Sequence, residues 1–307
     1  MKNTINYYYG ISIENFIKTD NDYYFYFQNN EYHLVKYTRP YEDIIALYKL
    51  NLEMKKRRCI VHEIIMNKDN QVITIINDTP YVLLKICNYK NDRVFLNDIN
   101  YIQNMTKDIE FDKSLLRVDW VKMWGDKIDY YEYQISQVGK KYPLLCDSLS
   151  YFIGMGENAI SYLVNNLDSK TNVNLVVSHK RIYQERGSLN FYDPLNFVVD
   201  SRVRDVAEFI KETFYNKTLN LYDLKSYFNM ANLNKNEYIL LLGRLLFPTY
   251  YFDIYDDIIN KGKSEELVVN IIDRTDEYES LLNTIYKFIL YEKKARLEPI
   301  EWLQDKN

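Results

Sequence analysis

The stretch that decides the fold lies past the middle of the chain. It runs Val176-Val177-Ser178-His179-Lys180-Arg181, then Phe191-Tyr192-Asp193-Pro194, then Asp200-Ser201-Arg202-Val203-Arg204-Asp205-Val206-Ala207. Its β-branched and aromatic residues predict two short strands, over 172–177 and 189–192, flanking a loop that carries His179 and Arg181. Asp205, an acid suited to a first turn, opens a helix over 205–214. A short strand-and-loop insertion inside a helical half is therefore the feature around which the rest is arranged.

Helical patterns surround it. Residues 115–138 carry Trp120, Val121, Trp124, Ile128, Tyr131 and Ile135 at spacings of three and four, and Gly139 supplies a C-cap. Further helices are predicted over 148–166, interrupted at Gly154 and Gly156, and over 221–230, 235–247, 250–260 and 276–297. The first ninety residues read differently. Strands over 23–28 and 32–37 form a hairpin about Asn29-Asn30, and further strands are predicted over 62–66, 71–76 and 81–87. Between them Pro40, Glu42 and Asp43 open a helix over 40–58 that Lys55, Lys56, Arg57 and Arg58 close. The expected class is α+β: a sheet lobe over 1–88 holding the helix 40–58, a polar connection over 89–112 and a helical lobe over 113–307.

Composition narrows the function. The 307 residues are 47% hydrophobic and 27% charged, a balance that supports packed cores rather than disorder. Eight Gly and six Pro exclude collagen-like and linker-rich classes. Cys59, Cys87 and Cys146 are too few and too scattered for a disulfide framework or a zinc knuckle, which points to a reducing compartment. A net charge of −4 argues against nucleic acid, and the basic cluster at 55–58 reads as a complement to its helix dipole rather than a phosphate patch. The amino terminus is polar. The longest apolar stretch, 238–252, is broken by Gly243, Arg244 and Pro248 and is shorter than the roughly 20 residues of a membrane span, so a cytoplasmic protein is expected. His33, His62 and His179 have no metal-ligand spacing, and hydrolase, P-loop and dinucleotide motifs are missing. The 31 Tyr, beside abundant Asn, Lys and Ile, match the coding of an AT-rich genome.

A sheet lobe holding one helix, followed by a helical lobe with a strand-and-loop insertion, is the element order of the protein-kinase-like fold. There a strand Lys binds nucleotide phosphates and is held by a helix Glu, a loop Asp accepts the proton, and an Asn and a later Asp hold magnesium. Lys36 is the natural strand Lys, and Glu53, 17 residues on, its partner. The loop stretch resembles the aminoglycoside phosphotransferase and choline kinase branch, which reads H-G-D in the catalytic loop and D-[LIV]-A at a later helix. The resemblance places the metal Asp at Asp193 and the helix opening at Asp205-Val206-Ala207, and it makes His179 a scaffold residue that bonds backbone around the loop.

Within that branch the chain is similar to the kinase-like proteins associated with the bacterial spore coat. The supporting segments are the Tyr151-Phe152-Ile153-Gly154-Met155-Gly156 run, Ser178-His179-Lys180-Arg181, residues 205–211 and the terminal Leu297-Glu298-Pro299-Ile300-Glu301-Trp302-Leu303. The departures carry the functional reading. Arg181 stands where the branch has its catalytic Asp, and an Arg accepts no proton at neutral pH. The only Asn between Arg181 and Asp193 is Asn190, expected in the second strand. Tyr7-Tyr8-Tyr9-Gly10-Ile11-Ser12 offers one Gly where several would close over phosphates. The resemblance thus implies a catalytically degenerate kinase-fold protein that binds nucleotide or a protein partner such as a spore-coat component, with ATP and Mg as cofactors or neither. Two alternatives stand beside it. One is an ATP-dependent small-molecule phosphotransferase with Glu185 as a displaced base. The other is a Tyr-rich coat component joined through its phenols, which requires clusters of exposed Tyr.

Overall fold

A computed structural model describes residues 1–19, 22–167 and 173–304. The chain forms two compact units, one of Met1–Arg117 with Leu175–Asp200 and the other of Val118–Asn174 with Ser201–Asn307. In the first unit the chain runs α1 (Lys2–Tyr9), β1 (Ile17–Lys18), β2 (Tyr23–Phe27), β3 (Asn30–Lys36), α2 (Tyr41–Lys56), β4 (Glu63–Ile65), β5 (Thr74–Ile76), β6 (Thr79–Lys85) and α3 (Leu96–Met105). It then enters the second unit for α4 (Trp120–Val138) and α5 (Pro143–Asn166), and returns to the first for β7 (Leu175–His179), α6 (Gly187–Phe191) and β8 (Phe197–Ser201). The second unit closes with α7 (Val203–Tyr215), α8 (Leu221–Ala231), α9 (Lys235–Leu246), α10 (Thr249–Lys261), α11 (Val269–Ile272) and α12 (Thr275–Tyr291).

The first unit is built on an antiparallel sheet in the order β1-β2-β3-β6-β4, with β5 also paired to β6. The β2–β3 hairpin pairs Phe27 with Asn30, so its two-residue turn is Gln28-Asn29, one position earlier than expected. Both turn residues have positive φ, the conformation whose twist suits a tight hairpin. β6 is apolar on both sides because both of its faces are covered. Val82 and Leu84 pack with Ile44 of α2, Ile64, Leu189 and Leu195, whereas Leu83 packs with Ile5 of α1, Ile11, Ile13 and Leu34.

α2 starts after Pro40 with Glu42 and Asp43 in its first turn and Lys55 and Lys56 in its last. The basic cluster at its end is largely absorbed locally. Lys56 pairs with Glu53, Lys55 with Glu63 at 2.8 Å, and Arg57 donates to the carbonyls of Met105, Lys107 and Asp108.

Three local expectations are corrected. The strand expected over 189–192 is the helix α6, and the second strand of the insertion is β8; Asn172, first residue of the other expected strand, lies outside the described residues. Strand propensity at Leu189, Phe191 and Tyr192 is overridden because positive φ at Arg186 and Gly187 turns the chain into a helical loop. Tyr7 to Gly10 is not a turn between strands but the end of α1, with Gly10 as its left-handed cap. Finally, α5 runs through Gly154 and Gly156 without a break, because burial of Leu149, Phe152, Ile153, Ala159 and Leu163 outweighs about 1 kcal/mol per helical Gly.

In the second unit α5 packs on α4 and α9, and α7 packs on α9. Its core is aromatic, with Trp124 stacked on Phe247 at 4.3 Å and Phe152 on Tyr251 at 3.8 Å. Buried charge is paired, Arg244 with Glu208 at 2.9 Å and Arg202 with Glu237 at 2.6 Å. Ten of the 31 Tyr are exposed and the others are buried or half-buried, so most tyrosine is packing material rather than a surface array. Among the described residues no helix is long and apolar enough to cross a membrane.

Candidate functional site

The candidate site residues Lys36, Glu53, His179, Arg181 and Asp193 fall in the first unit, whereas Asp205 lies in the second. Lys36 ends β3 with its side chain exposed, and its backbone N–H donates to the Asp22 carboxylate at 3.0 Å. Glu53 lies on α2, where its carboxylate takes Lys56, three residues on. Lys36 and Glu53 are not brought together. The buried ion pair at this helix is instead Arg39 with Asp43, 2.9 Å, at its start. The Arg39 guanidinium also donates to the carbonyls of Leu195 and Phe197 at 3.1 and 2.7 Å, which ties α2 to the chain just before and at the start of β8.

His179 ends β7, fully buried. Its Nε2 contacts the Phe191 carbonyl at 2.7 Å and its ring stacks on Phe191 at 4.2 Å, so it holds backbone around the loop. The side chain of Arg181 donates to the Lys180 carbonyl, and the Arg181 carbonyl accepts from Asn196. Burial, with Arg39, Arg117 and Arg181 nearby, pushes the Lys180 ammonium down to about 8, with Asp43 acting in the opposite sense. Asn190 donates to the Glu185 carbonyl within its own loop, and Glu185 is exposed. Asp193 precedes β8 and caps the turn Pro194–Asn196 by accepting from Leu195 N–H at 2.8 Å. Burial, with the Asp22 charge added, pushes its carboxyl up to about 6 against the lowering effects of that hydrogen bond, His179 and Arg39. The acid carried by the hairpin strand itself is Asp200, fully buried at the end of Phe197-Val198-Val199.

Between β7 and β8 the loop closes against the segment that joins β6 to α3. Gln184 lies alongside Val94 like a neighbouring strand, its Oε1 accepting from Val94 N–H and its Nε2 donating to Val94 C=O, both at 3.2 Å. Ser188 does the same at Asn91: its Oγ accepts from Asn91 N–H and its own N–H donates to Asn91 C=O, both at 2.9 Å. Gly187 sits between, with φ of +37°, and a Cβ there would lie 2.2 Å from Asn91 O and 2.4 Å from Arg93 N. Only glycine fits that approach.

The rest of the loop is held as firmly. His62 receives the Cys87 N–H at Nδ1, 3.2 Å, so its Nε2 carries the proton and donates to Leu189 O at 2.9 Å. Burial holds this imidazole down to about 4, well below its ordinary range. Tyr192 and Tyr89 both donate to Asp98 at 3.1 Å. Arg186 reaches Tyr24 on β2, donating to its hydroxyl at 2.8 Å. Loop residues 184–192 therefore span from the β6–α3 connection to β2.

Several of these residues were missed in the sequence. Arg186 follows Arg181 by five residues, the spacing of Asp and Asn in the kinase catalytic loop, so counting from Arg181 finds it. Asp200 is signalled by the apolar run it terminates. Gln184 and Ser188 carry no such signal, because loop polar residues of this kind are usually solvated.

The fold and the loop have relatives. The family described as "Spore coat putative kinase YutH" matches residues 2–285. The endospore coat-associated protein YutH of Bacillus subtilis is 26% identical, over 99% of this chain and 98% of its own length. Among solved structures, an aminoglycoside phosphotransferase from Alicyclobacillus acidocaldarius superposes with a TM-score of 0.65 at 10% identity, covering 92% of this chain and 94% of that one. A spectinomycin phosphotransferase in complex with ADP and spectinomycin superposes with a TM-score of 0.57 at 11% identity, over 86% and 89%. This chain, with the fold of the aminoglycoside phosphotransferases, belongs to the spore coat putative kinase YutH family.

Proposed function

We propose that this chain is a catalytically silent, kinase-fold component of a spore coat that acts by binding a protein partner and takes no nucleotide. The observation that carries the reading is the occupation of the β6–α3 connection by Gln184 and Ser188. The backbone N–H and C=O of Asn91 and of Val94, which a base lying along that connection could otherwise use, already have partners. Leu189 fills the apolar space beneath Val82 and Leu84.

Charge supports it. Arg181 and Arg186 stand at the places of a proton acceptor and a magnesium ligand, and a guanidinium can serve as neither. Between Lys18 and Tyr23 the sequence has two acids and no glycine to offer the free backbone N–H groups that phosphates need. Residues that repel both the metal and the phosphates do not fit a magnesium nucleotide. The coat assignment rests on the name of the Bacillus relative.

Thermal unfolding with and without millimolar MgATP tests the reading. A ligand at a hundredfold excess over its dissociation constant adds about 2.7 kcal/mol, and no shift is expected here. A shift that Asp200→Asn abolishes, or ATP turnover that it abolishes, overturns the proposal.

A further inference from the structure

The outer face of the sheet is covered unevenly. Ile5, Ile11 and Ile13 from α1 and the segment after it cover the Leu34 and Leu83 positions. One row further on, Tyr32, Lys85 and Glu63 stand opposite one another across β3, β6 and β4 and so point to one face. From that row outward a groove of about 500 Å³ opens, lined by the end of α2, the chain before β4 and the chain after β6. Lys55, Arg58 and Lys85 line it against a single acid, Glu63, together with Asn30, Asn88 and the Cys59 and Cys87 thiols. Burial raises both thiols above their ordinary range, so they are packing groups rather than nucleophiles.

Within the basic run 55–58, Lys55, Lys56 and Arg57 have protein partners. Among the described residues Arg58 and Lys85 make no side-chain hydrogen bond or ion pair. A chain of net charge −4 thus presents a groove of local positive excess, with its cations on three different elements: Lys55 on α2, Arg58 in the turn after it, and Lys85 on β6. Cations spread over three elements suit a ligand with several spaced carboxylates better than one compact anion. We propose that this groove binds an extended acidic segment of a partner protein. The proposal rests on the partner-binding reading above and names the chemistry of the partner. Acidic side chains would meet Arg58 and Lys85, and complementary charge would speed and select the encounter.

Fluorescence anisotropy on the full chain tests this, with a labelled peptide of alternating Glu and Ser as probe and its Lys–Ser counterpart as control. The acidic peptide is expected to bind and to be released by salt, as exposed charge contacts are. Arg58→Asn with Lys85→Gln should weaken it about tenfold, the equivalent of about 1.4 kcal/mol. The thermal midpoint should stay unchanged, because neither side chain has a partner to lose, the neutral Gln puts no like charge opposite Glu63, and Asn tolerates the positive φ of residue 58. Equal binding of the Lys–Ser peptide, or affinity indifferent to the double substitution, overturns the proposal. Displacement of the acidic peptide by inorganic phosphate as readily as by unlabelled peptide also overturns it in favour of a small-anion site. None of these outcomes depends on MgATP, so this proposal and the loss of nucleotide binding can fail separately.

Discussion

The β7–β8 hairpin and the loop between its strands are fastened to the same sheet-bearing unit by opposite chemistry. The tie from the hairpin to α2 runs through charge: one guanidinium, Arg39, serves Asp43 and two carbonyls in a buried place. The loop is held mostly by neutral groups, Gln184, Ser188, His62 and the close fit of Gly187, each a modest contribution. A charged anchor concentrates stability in one residue, whereas a distributed neutral anchor lets the loop be rebuilt piece by piece while the hairpin stays in place. The substitutions below separate the two.

The largest effect is expected at Arg39. Arg39→Ala removes the 2.9 Å partner of the buried Asp43 carboxylate and leaves it the longer contact to Arg117 at 3.7 Å, so the cost should approach the roughly 3–5 kcal/mol of breaking a buried pair from one side. Urea unfolding measures it. Arg39→Ala with Asp43→Ala should recover much of the loss, and a double variant as unstable as the single one would show that the carbonyl contacts, not the charge pair, dominate.

Next is pH, where His62, beneath the loop, and Asp193, at the loop's end before β8, pull in opposite directions. His62 has a folded pKa of about 4 against an ordinary 6.5, so the unfolded chain binds more protons between those values and stability falls as pH drops through that window. Asp193 has a folded pKa of about 6 against 3.8, so the folded chain binds more protons there and stability falls as pH rises. Each amounts to about 3 kcal/mol across its window, and the two offset one another between about pH 4 and 6. Asp193→Asn should therefore raise stability at pH 7 and expose the acid-side loss due to His62. His62→Gln should expose the reverse slope. Parallel pH profiles for the two variants would refute the assignment.

A smaller effect tests the fit of the loop. Gly187→Ala places a Cβ into the backbone of 91–93 at a left-handed residue, a clash that costs about 1–3 kcal/mol. Hydrogen exchange should report it locally, as lost protection at the Asn91 and Val94 amides with the β3–β6 ladder unaffected. Uniform loss across the sheet would mean that loop and sheet unfold as one.

The sequence made one side of the comparison far more legible than the other. Alternation and turn residues mark the β2–β3 hairpin, and Pro40 with two acids marks α2, because those signals are local and burial reinforces them. The loop misleads for the same reason. Leu189, Phe191 and Tyr192 have strand propensity, but their conformation is set by distant groups at Asn91, Val94 and His62 that no local pattern contains. Asp193 is placed by the resemblance, whereas Asp200, which follows the apolar run Phe197-Val198-Val199, enters only as the first residue of the segment leading to the next helix. The Arg39–Asp43 pair was hidden because it sits among charges that already had a sufficient reading as helix-start residues.

The smallest effect is expected where the sequence pointed most strongly to chemistry. Lys36 and Glu53 would be a buried catalytic pair in a working enzyme of this fold, and cutting such a pair destabilises strongly. Here Lys36 is exposed and Glu53 pairs with Lys56 at the helix surface, a contact worth about 0.3–0.5 kcal/mol. Glu53→Gln and Lys36→Ala should each change stability by less than about 0.5 kcal/mol, and the double variant should equal their sum, since residues without a shared contact add. A coupling above about 1 kcal/mol in that double-mutant cycle would mean that the two side chains meet in solution. Additivity leaves Arg39 with Asp43, not Lys36 with Glu53, as the ion pair that fastens this helix.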